Sequence, residues 1–263
     1  MGEKILTDIC EIQIQGGTNM KNRILSLLAA AVLLLLLPLS VAGADGVAYW
    51  DPQSRSFLYT EPHYGIVICT KMNVRNRAAT SGSAYGSIRN GQPVKILGTS
   101  ENDDFYVLDL ASCGFSNASA TYGYAKKSLI SIDPEYFATT KTTNLYATPW
   151  GDGLKNGEQN NRYFLIISEH SGWYAVQATE NSPGTAFVKM SDVSRTYQGR
   201  YVVTWDTQLL DESSWAQIQN VKRFTVGRLV QNQGDYSLMI FNEGAANEFR
   251  AWILTQYIAP LLN

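Results

Sequence analysis

The sequence predicts an all-β protein: three small copies of one β module, set behind an N-terminal export segment. The first observation is a closing phrase written three times. GYAKKSLI at 123–130 recurs as AFVKMSDV at 186–193 and AWILTQYI at 251–258. Each copy sets an aromatic six positions before an apolar residue: Tyr124 and Ile130, Phe187 and Val193, Trp252 and Ile258. The second is a set of upstream marks in the same order. These are Tyr106–Leu108, Tyr174–Val176 and Tyr236–Leu238, preceded by Met72-Asn73-Val74, Thr143-Asn144-Leu145 and Thr207-Gln208-Leu209. Corresponding marks recur every 62–71 residues, and a fixed period of that length sets the architecture before any local reading. The third is composition: with 15 Tyr and 6 Trp against 8 Pro, the chain suits strands.

In chain order, Ile24–Leu37 is almost wholly apolar, with Lys21 and Arg23 before it and Ala42-Gly43-Ala44 after it. Charge, greasy core and small-residue exit make 20–44 a secretory signal. Its length also reaches the lower limit for a membrane span of ~17–25 residues, so an uncleaved anchor stays open. Residues 1–19 make a poor charged lead. Gln15-Gly16-Gly17 shortly before Met20 back-translates to a purine-rich stretch of the kind that binds bacterial ribosomes. Met20 is thus the expected start, with 1–19 an extension that is not translated.

Residues 45–65 read as an extended, aromatic lead-in with one strand around Ser56–Tyr59. Modules follow at 66–133, 137–194 and 199–259, a size range in which small domains fold alone. Each contains a predicted hairpin. Val94–Leu97 and Phe105–Leu110 flank the turn Ser100–Asp104; Tyr163–Ile167 and Trp173–Ala178 flank Ser168–Gly172; Phe224–Val230 and Tyr236–Phe241 flank Gln231–Asp235. Asp133-Pro134-Glu135 and Arg195–Arg200 lack periodicity and are expected to be joints. Ser214–Lys222 spaces Trp215, Ile218 and Val221 as on one side of a helical turn.

Beyond the repeat, the marks resemble the bacterial SH3-type family of exported proteins. The family opens with Asn-[Val/Leu]-Arg, has a Gly-x-x-Val-x-Val-Leu strand and closes on Gly-[Trp/Tyr]-[Val/Ala]. The first module carries Asn73-Val74-Arg75, Tyr85-Gly86-Ser87-Ile88, Gly91 through Leu97, and Gly123-Tyr124-Ala125. The second keeps Asn144-Leu145-Tyr146 and Gly172-Trp173-Tyr174-Ala175-Val176 but lacks the Arg. The third is the weakest, with Gln208-Leu209-Leu210 and Ala251-Trp252-Ile253. The resemblance implies three tandem small SH3-like barrels, each plugged by its closing aromatic. Cores that small imply that packing between modules contributes to stability.

Few residues carry chemistry. The chain holds Cys10, Cys69 and Cys113. Starting at Met20 leaves Cys69 and Cys113, which in an oxidising compartment either form a disulfide or stay as two thiols. Exported cell-wall cysteine peptidases often follow SH3-type modules and carry Asp-Cys-Ser-Gly at their nucleophile. Ser112-Cys113-Gly114 scrambles that order, and a thiol nucleophile needs a base that only His63 or His170 could supply. Asn102-Asp103-Asp104 and Asp211-Glu212 read as solvated turns rather than metal ligands. Asn117-Ala118-Ser119 is a formal glycosylation sequon, of little meaning in a bacterium. A net charge of −2 and no basic run make nucleic acid an improbable partner.

The aromatics are the functional lead. Trp150 and Trp215 fall in the first loop of modules two and three, and Trp173 begins a strand of module two. Each either covers the end of its own barrel or contacts a ligand. The expected function is non-catalytic binding outside the cytoplasmic membrane, with no cofactor. The partner is cell-wall peptidoglycan or an envelope protein, and membrane contact runs only through an uncleaved signal. The alternatives are a structural spacer in an envelope assembly and a cell-wall hydrolase.

Overall fold

Alternating apolar residues and turn-forming clusters produce β structure throughout, and no α-helix occurs among the described residues. The computed structural model describes residues 41–43, 46–115, 120–139, 143–151, 162–178, 184–193 and 196–262. Residues 1–40 and the sequon at 117–119 lie outside these, whereas Val41–Gly43, inside the expected signal of 20–44, are described as a strand.

The first sheet contains β1 (Val41–Gly43), β2 (Gly46–Asp51), β3 (Ser56–Val67), β4 (Lys71–Arg75), β5 (Ala84–Arg89), β6 (Pro93–Ser100), β7 (Phe105–Asp109), β8 (Tyr122–Lys126) and β9 (Ile130–Ile132). Its order is β1-β2-β3-β6-β7-β8-β4-β5, with β9 also on β3. The second contains β10 (Glu135–Ala138), β11 (Tyr163–His170), β12 (Trp173–Ala178), β13 (Thr185–Lys189), β14 (Tyr197–Val203), β15 (Thr207–Asp211), β16 (Gln217–Val221), β17 (Val226–Gln233), β18 (Tyr236–Phe241), β19 (Phe249–Leu254) and β20 (Ile258–Leu262). Its order is β13-β12-β11-β10-β20-β14-β17-β18-β19-β15-β16.

The triple recurrence is visible as backbone geometry. The residue after each opening triplet pairs with the closing aromatic: Arg75 with Tyr124, Tyr146 with Phe187, Leu210 with Trp252. Each hairpin breaks register at the same place, between Ile96 and Gly98, Ile166 and Ser168, and Leu229 and Gln231. An extra residue there bends the strand and raises its twist. Each closing strand runs into one turn of 3-10 helix, at Lys127–Leu129, Met190–Asp192 and Thr255–Tyr257. The first N–H of each turn donates back to the hairpin: Lys127 to Asp104 O at 3.0 Å, Met190 to Gly172 O at 3.0 Å, Thr255 to Asp235 O at 2.8 Å.

These hydrogen bonds correct one alignment. They set Tyr236 level with Phe105 and Trp173, so the counterpart of Tyr106 and Tyr174 is Ser237. A one-residue slip exchanges the two faces of a strand. Ser237 therefore occupies the core-facing position, fully buried, with its hydroxyl bonded to Asn232 Oδ1 (2.7 Å) and Thr255 Oγ1 (2.9 Å).

The same alternation moves the closing aromatics. The first repeat's core gathers Met72, Val74, Ile96, Leu108 and Ala125, whereas Tyr124 joins Phe105 and Val107 in a separate cluster. The third core takes Ala251 and Ile253 but not Trp252, and the second takes Ala186 and Val188 but not Phe187. The aromatic does not plug the core; it lies on the opposite face, and its small neighbour fills the interior. Tyr124 and Trp252 are buried there, and Phe187 is half-buried.

Three further expectations change. The lead-in at 45–65 holds more than the strand expected around Ser56–Tyr59: that strand is β3, it forms a hairpin with β2, and it continues on β6 as far as Ile66. Ser214–Lys222 forms no helical turn, because Gln217–Val221 hydrogen-bonds along β15 as β16. The segment at 195–200 is not a joint between separate barrels, because β14 starts at Tyr197 inside the second sheet.

The repeats are stitched together rather than strung. In the first and third, the strand after the 3-10 turn returns to its own repeat, pairing Ile130 with Val67 and Ile258 with Val203. β20 also pairs in parallel with β10 of the second repeat, Tyr136 with Leu261 and Phe137 with Leu262. One sheet thus crosses from second repeat to third. Ile66, Tyr136, Leu165, Val202, Ala259 and Leu261 form a fully buried cluster drawn from all three repeats. Polar links add to it: Lys95 Nζ to Asp235 Oδ1 at 2.5 Å, and Gln177 Nε2 to Ile68 O at 3.3 Å.

Candidate functional site

A cavity of about 930 Å³ lies in the first repeat. One wall is the β2–β3 turn (Gln53, Ser54, Arg55), and a second is the β4–β5 loop (Asn76, Arg77, Ala78). Tyr85 of β5 and Tyr122 and Tyr124 of β8 supply rings, and Glu101 and Asn102 reach it from the β6–β7 turn.

Local chemistry shapes each wall. Asp51 turns the chain between β2 and β3, accepting from Ser54 Oγ (2.5 Å), Ser54 N (3.0 Å) and Gln53 N (3.2 Å). The Ser54 hydroxyl bond, helped by these N–H groups, holds the Asp51 carboxyl below its usual range. This turn settles on the floor, because Tyr124 donates its hydroxyl to Ser54 O at 2.8 Å. Burial pushes the Tyr124 hydroxyl up, so it stays protonated as the donor this bond needs. Tyr122 meets Tyr124 edge to face at 6.2 Å.

Two guanidinium groups stand at the rim. Arg55 is paired with Glu101 at 2.9 Å. Arg77 donates to Ser81 O (3.2 Å) and Ser81 Oγ (3.3 Å), with no carboxylate partner among the described residues. Arg75 donates to Gly82 O at 2.6 Å and ties the loop back on itself. Tyrosine rings beside a guanidinium that no described carboxylate neutralises form a surface for planar and anionic groups.

The sequence-predicted tryptophans lie elsewhere, and none lines this cavity. Trp150 is 78% exposed. Trp173 meets Tyr146 edge to face at 5.1 Å, with Lys189 Nζ 5.7 Å from its ring centre. Trp215 stacks flat on Trp252, centres 4.9 Å apart at 11°, and meets Tyr236 edge-on at 5.3 Å. It does so at φ 59°, a left-handed backbone that costs a bulky residue roughly 1–3 kcal/mol. Two aromatic contacts, each roughly 0.5–1.5 kcal/mol beyond area burial, offset that strain. Trp252 Nε1 donates to Glu212 O at 3.1 Å and pins the same loop.

The β15–β16 loop of the third repeat is the counterpart of the β4–β5 loop, since Leu210 and Arg75 hold the same ladder position. In the third repeat that loop lays an indole on the closing aromatic. In the first it supplies Arg77 and Ala78 and leaves a cleft. Of the cleft tyrosines, Tyr85 and Tyr124 belong to the repeat marks, whereas Tyr122 belongs to none. Their signal is the alternation of Tyr122 and Tyr124 on one face of β8.

Cys69 and Cys113 are free thiols here rather than a bridge, and both pack on the first repeat's core. Burial pushes the Cys113 thiol up to about 12, which makes a poor nucleophile. Asp103 is held by Lys127 and Thr99, and Asp211 by Ser213 and Ser214. No cluster of three metal-ligating side chains occurs among the described residues.

No family model matches the chain, and no curated protein matches it. Among solved structures there is a distant similarity to NlpC2 from Trichomonas vaginalis, over 78% of this chain and 99% of that one, at 8% identity and a TM-score of 0.22. NlpC1 from the same organism covers 78% and 96%, at 10% identity and a TM-score of 0.21. At these values the likeness decides neither fold nor activity.

Proposed function

We propose that this chain is an exported, non-catalytic binding protein whose three repeats are degenerate SH3-like barrels, and that its first repeat holds the ligand. The ligand is a cell-wall peptide or glycan, or a segment of an envelope partner protein. The observation that carries this is the open cleft of about 930 Å³ floored by Tyr85, Tyr122 and Tyr124. Rigid rings supply contact area at low entropic cost, and aromatic anchors carry a large share of binding energy where a partner covers them. The inert Cys113 thiol supports binding over thiol catalysis.

A spacer role is the second reading. It is favoured by the third repeat, whose aromatic face is filled by Trp215, and by the cluster shared among repeats. Co-sedimentation with purified peptidoglycan, and with detergent-solubilised envelope proteins, separates the two. Retention that Tyr122→Ala lowers, with the fold unchanged by circular dichroism, is the expected result. No retention on either material, or retention indifferent to Tyr122, would leave only the spacer.

A further inference from the structure

The third repeat contains a worked example of what the first repeat's cleft accepts. Its loop inserts a planar ring, Trp215, flat against the closing aromatic at 4.9 Å and edge-on to a second ring. The backbone tolerates φ 59° to keep it there. The first repeat keeps an aromatic at the same ladder position, Tyr124, packs Ala78 against its cluster, and opens a cleft lined also by Tyr122 and Tyr85. It also adds a charge that the third repeat lacks. By the same register, Arg77 is the counterpart of Glu212, and it finds no carboxylate among the described residues.

We infer that the first-repeat cleft takes an aromatic side chain lying next to a carboxylate, as a peptide segment of a partner protein presents them. The ring packs among Tyr85, Tyr122 and Tyr124, and Arg77 binds the carboxylate. Arg55 is excluded from that role by its pairing with Glu101 at 2.9 Å. A charge-assisted guanidinium bond is short and directional, so it selects against ligands that offer the ring alone. This rests on the proposed binding role and narrows it from wall polymer to an aromatic, acidic peptide.

The test titrates three small probes into the full chain and follows its side-chain resonances by NMR. N-acetyl-tryptophan carries ring and carboxylate, its amide carries the ring alone, and N-acetyl-leucine carries the carboxylate alone. The first should saturate shifts at Tyr122 and Tyr85 with about tenfold higher affinity than either of the others, equivalent to about 1.4 kcal/mol. Arg77→Ala should bring N-acetyl-tryptophan down to the level of the amide and leave the amide unchanged. Trp215→Ala should create a second site for the amide, shifting Trp252 and Tyr236. Equal affinity for all three probes, shifts that avoid the cleft, or no new site in Trp215→Ala would overturn the inference. Peptidoglycan retention with no probe selectivity sinks this inference alone. Selective probe binding without wall retention sustains it and assigns the partner to protein.

Discussion

Leu261 sits where the three repeats meet, and truncating it tests whether they form one cooperative body. Its side chain is 1% exposed, and its backbone pairs with Tyr136 across the parallel β10–β20 contact. Around it lie Ile66 of the first repeat, Tyr136 and Leu165 of the second, and Val202 and Ala259 of the third. Leu→Ala in such a site costs roughly 2–5 kcal/mol, as lost transfer energy plus the cavity left behind. The low end applies if β20 can settle inward. The high end applies if the sheet on either side of β20 holds it rigid, as expected for a strand paired along both edges. For a body of this size that loss lowers the melting temperature by roughly 5–15 °C. The assay is hydrogen exchange resolved strand by strand, following β7, β12 and β18 as reporters of the three repeats. All three should lose protection together and by the same free energy. Loss confined to β18, with β7 and β12 untouched, would refute the reasoning, because it would mean the shared cluster carries no coupling.

Two other measurements follow from titrating groups. Because the folded-state pKa of Asp51 lies below its unfolded value near 3.9, its contribution is complete above that value and disappears as the pH falls through the folded pKa. The β2–β3 wall of the cleft should therefore loosen below about pH 4. Wild type should lose probe affinity there more steeply than Asp51→Asn, and parallel profiles would show that this turn does not shape the cleft. A thiolate-selective reagent on native protein should label Cys69 well before Cys113, whose thiol is pushed up to about 12. In denaturant both should react. If neither reacts even unfolded, the two are bridged in the isolated protein.

Much of the chain's layout is legible in its sequence because two-residue periodicity and turn chemistry are local. The three hairpins fall where alternation places them, at Val94–Leu110, Tyr163–Ala178 and Phe224–Phe241, although the first strand of each runs on past its expected end, to Ser100, His170 and Gln233. What sequence misreads is non-local. Tyr236 aligns by eye with Tyr106, yet the bond from Thr255 N to Asp235 O sets it against Phe105. The helical spacing around Trp215, Ile218 and Val221 gives way because β15 offers Gln217–Val221 a ladder to join. The parallel pairing of Tyr136 with Leu261 joins residues over a hundred positions apart and leaves no mark in either segment. The cleft is intermediate. Tyr122 and Tyr124 stand out on one face of β8, but the β2–β3 turn that walls them in belongs to what reads as a lead-in. Trp150 and Trp215 draw attention as tryptophans, and Trp215 proves to occupy its own repeat.

The two-sided pairing of β20 has a consequence for the order in which the molecule can assemble. Of the strands described, this one leaves the ribosome last, yet it pairs along β10, laid down more than a hundred residues earlier. Until it arrives, β10 presents an unpaired flank and Tyr136 and Leu165 lack the residues that cover them. Vectorial synthesis therefore delivers a chain whose second repeat is open along one side until the third has been made. The shared cluster can close only after the third repeat has been made, so the repeats are fastened as one body rather than one by one.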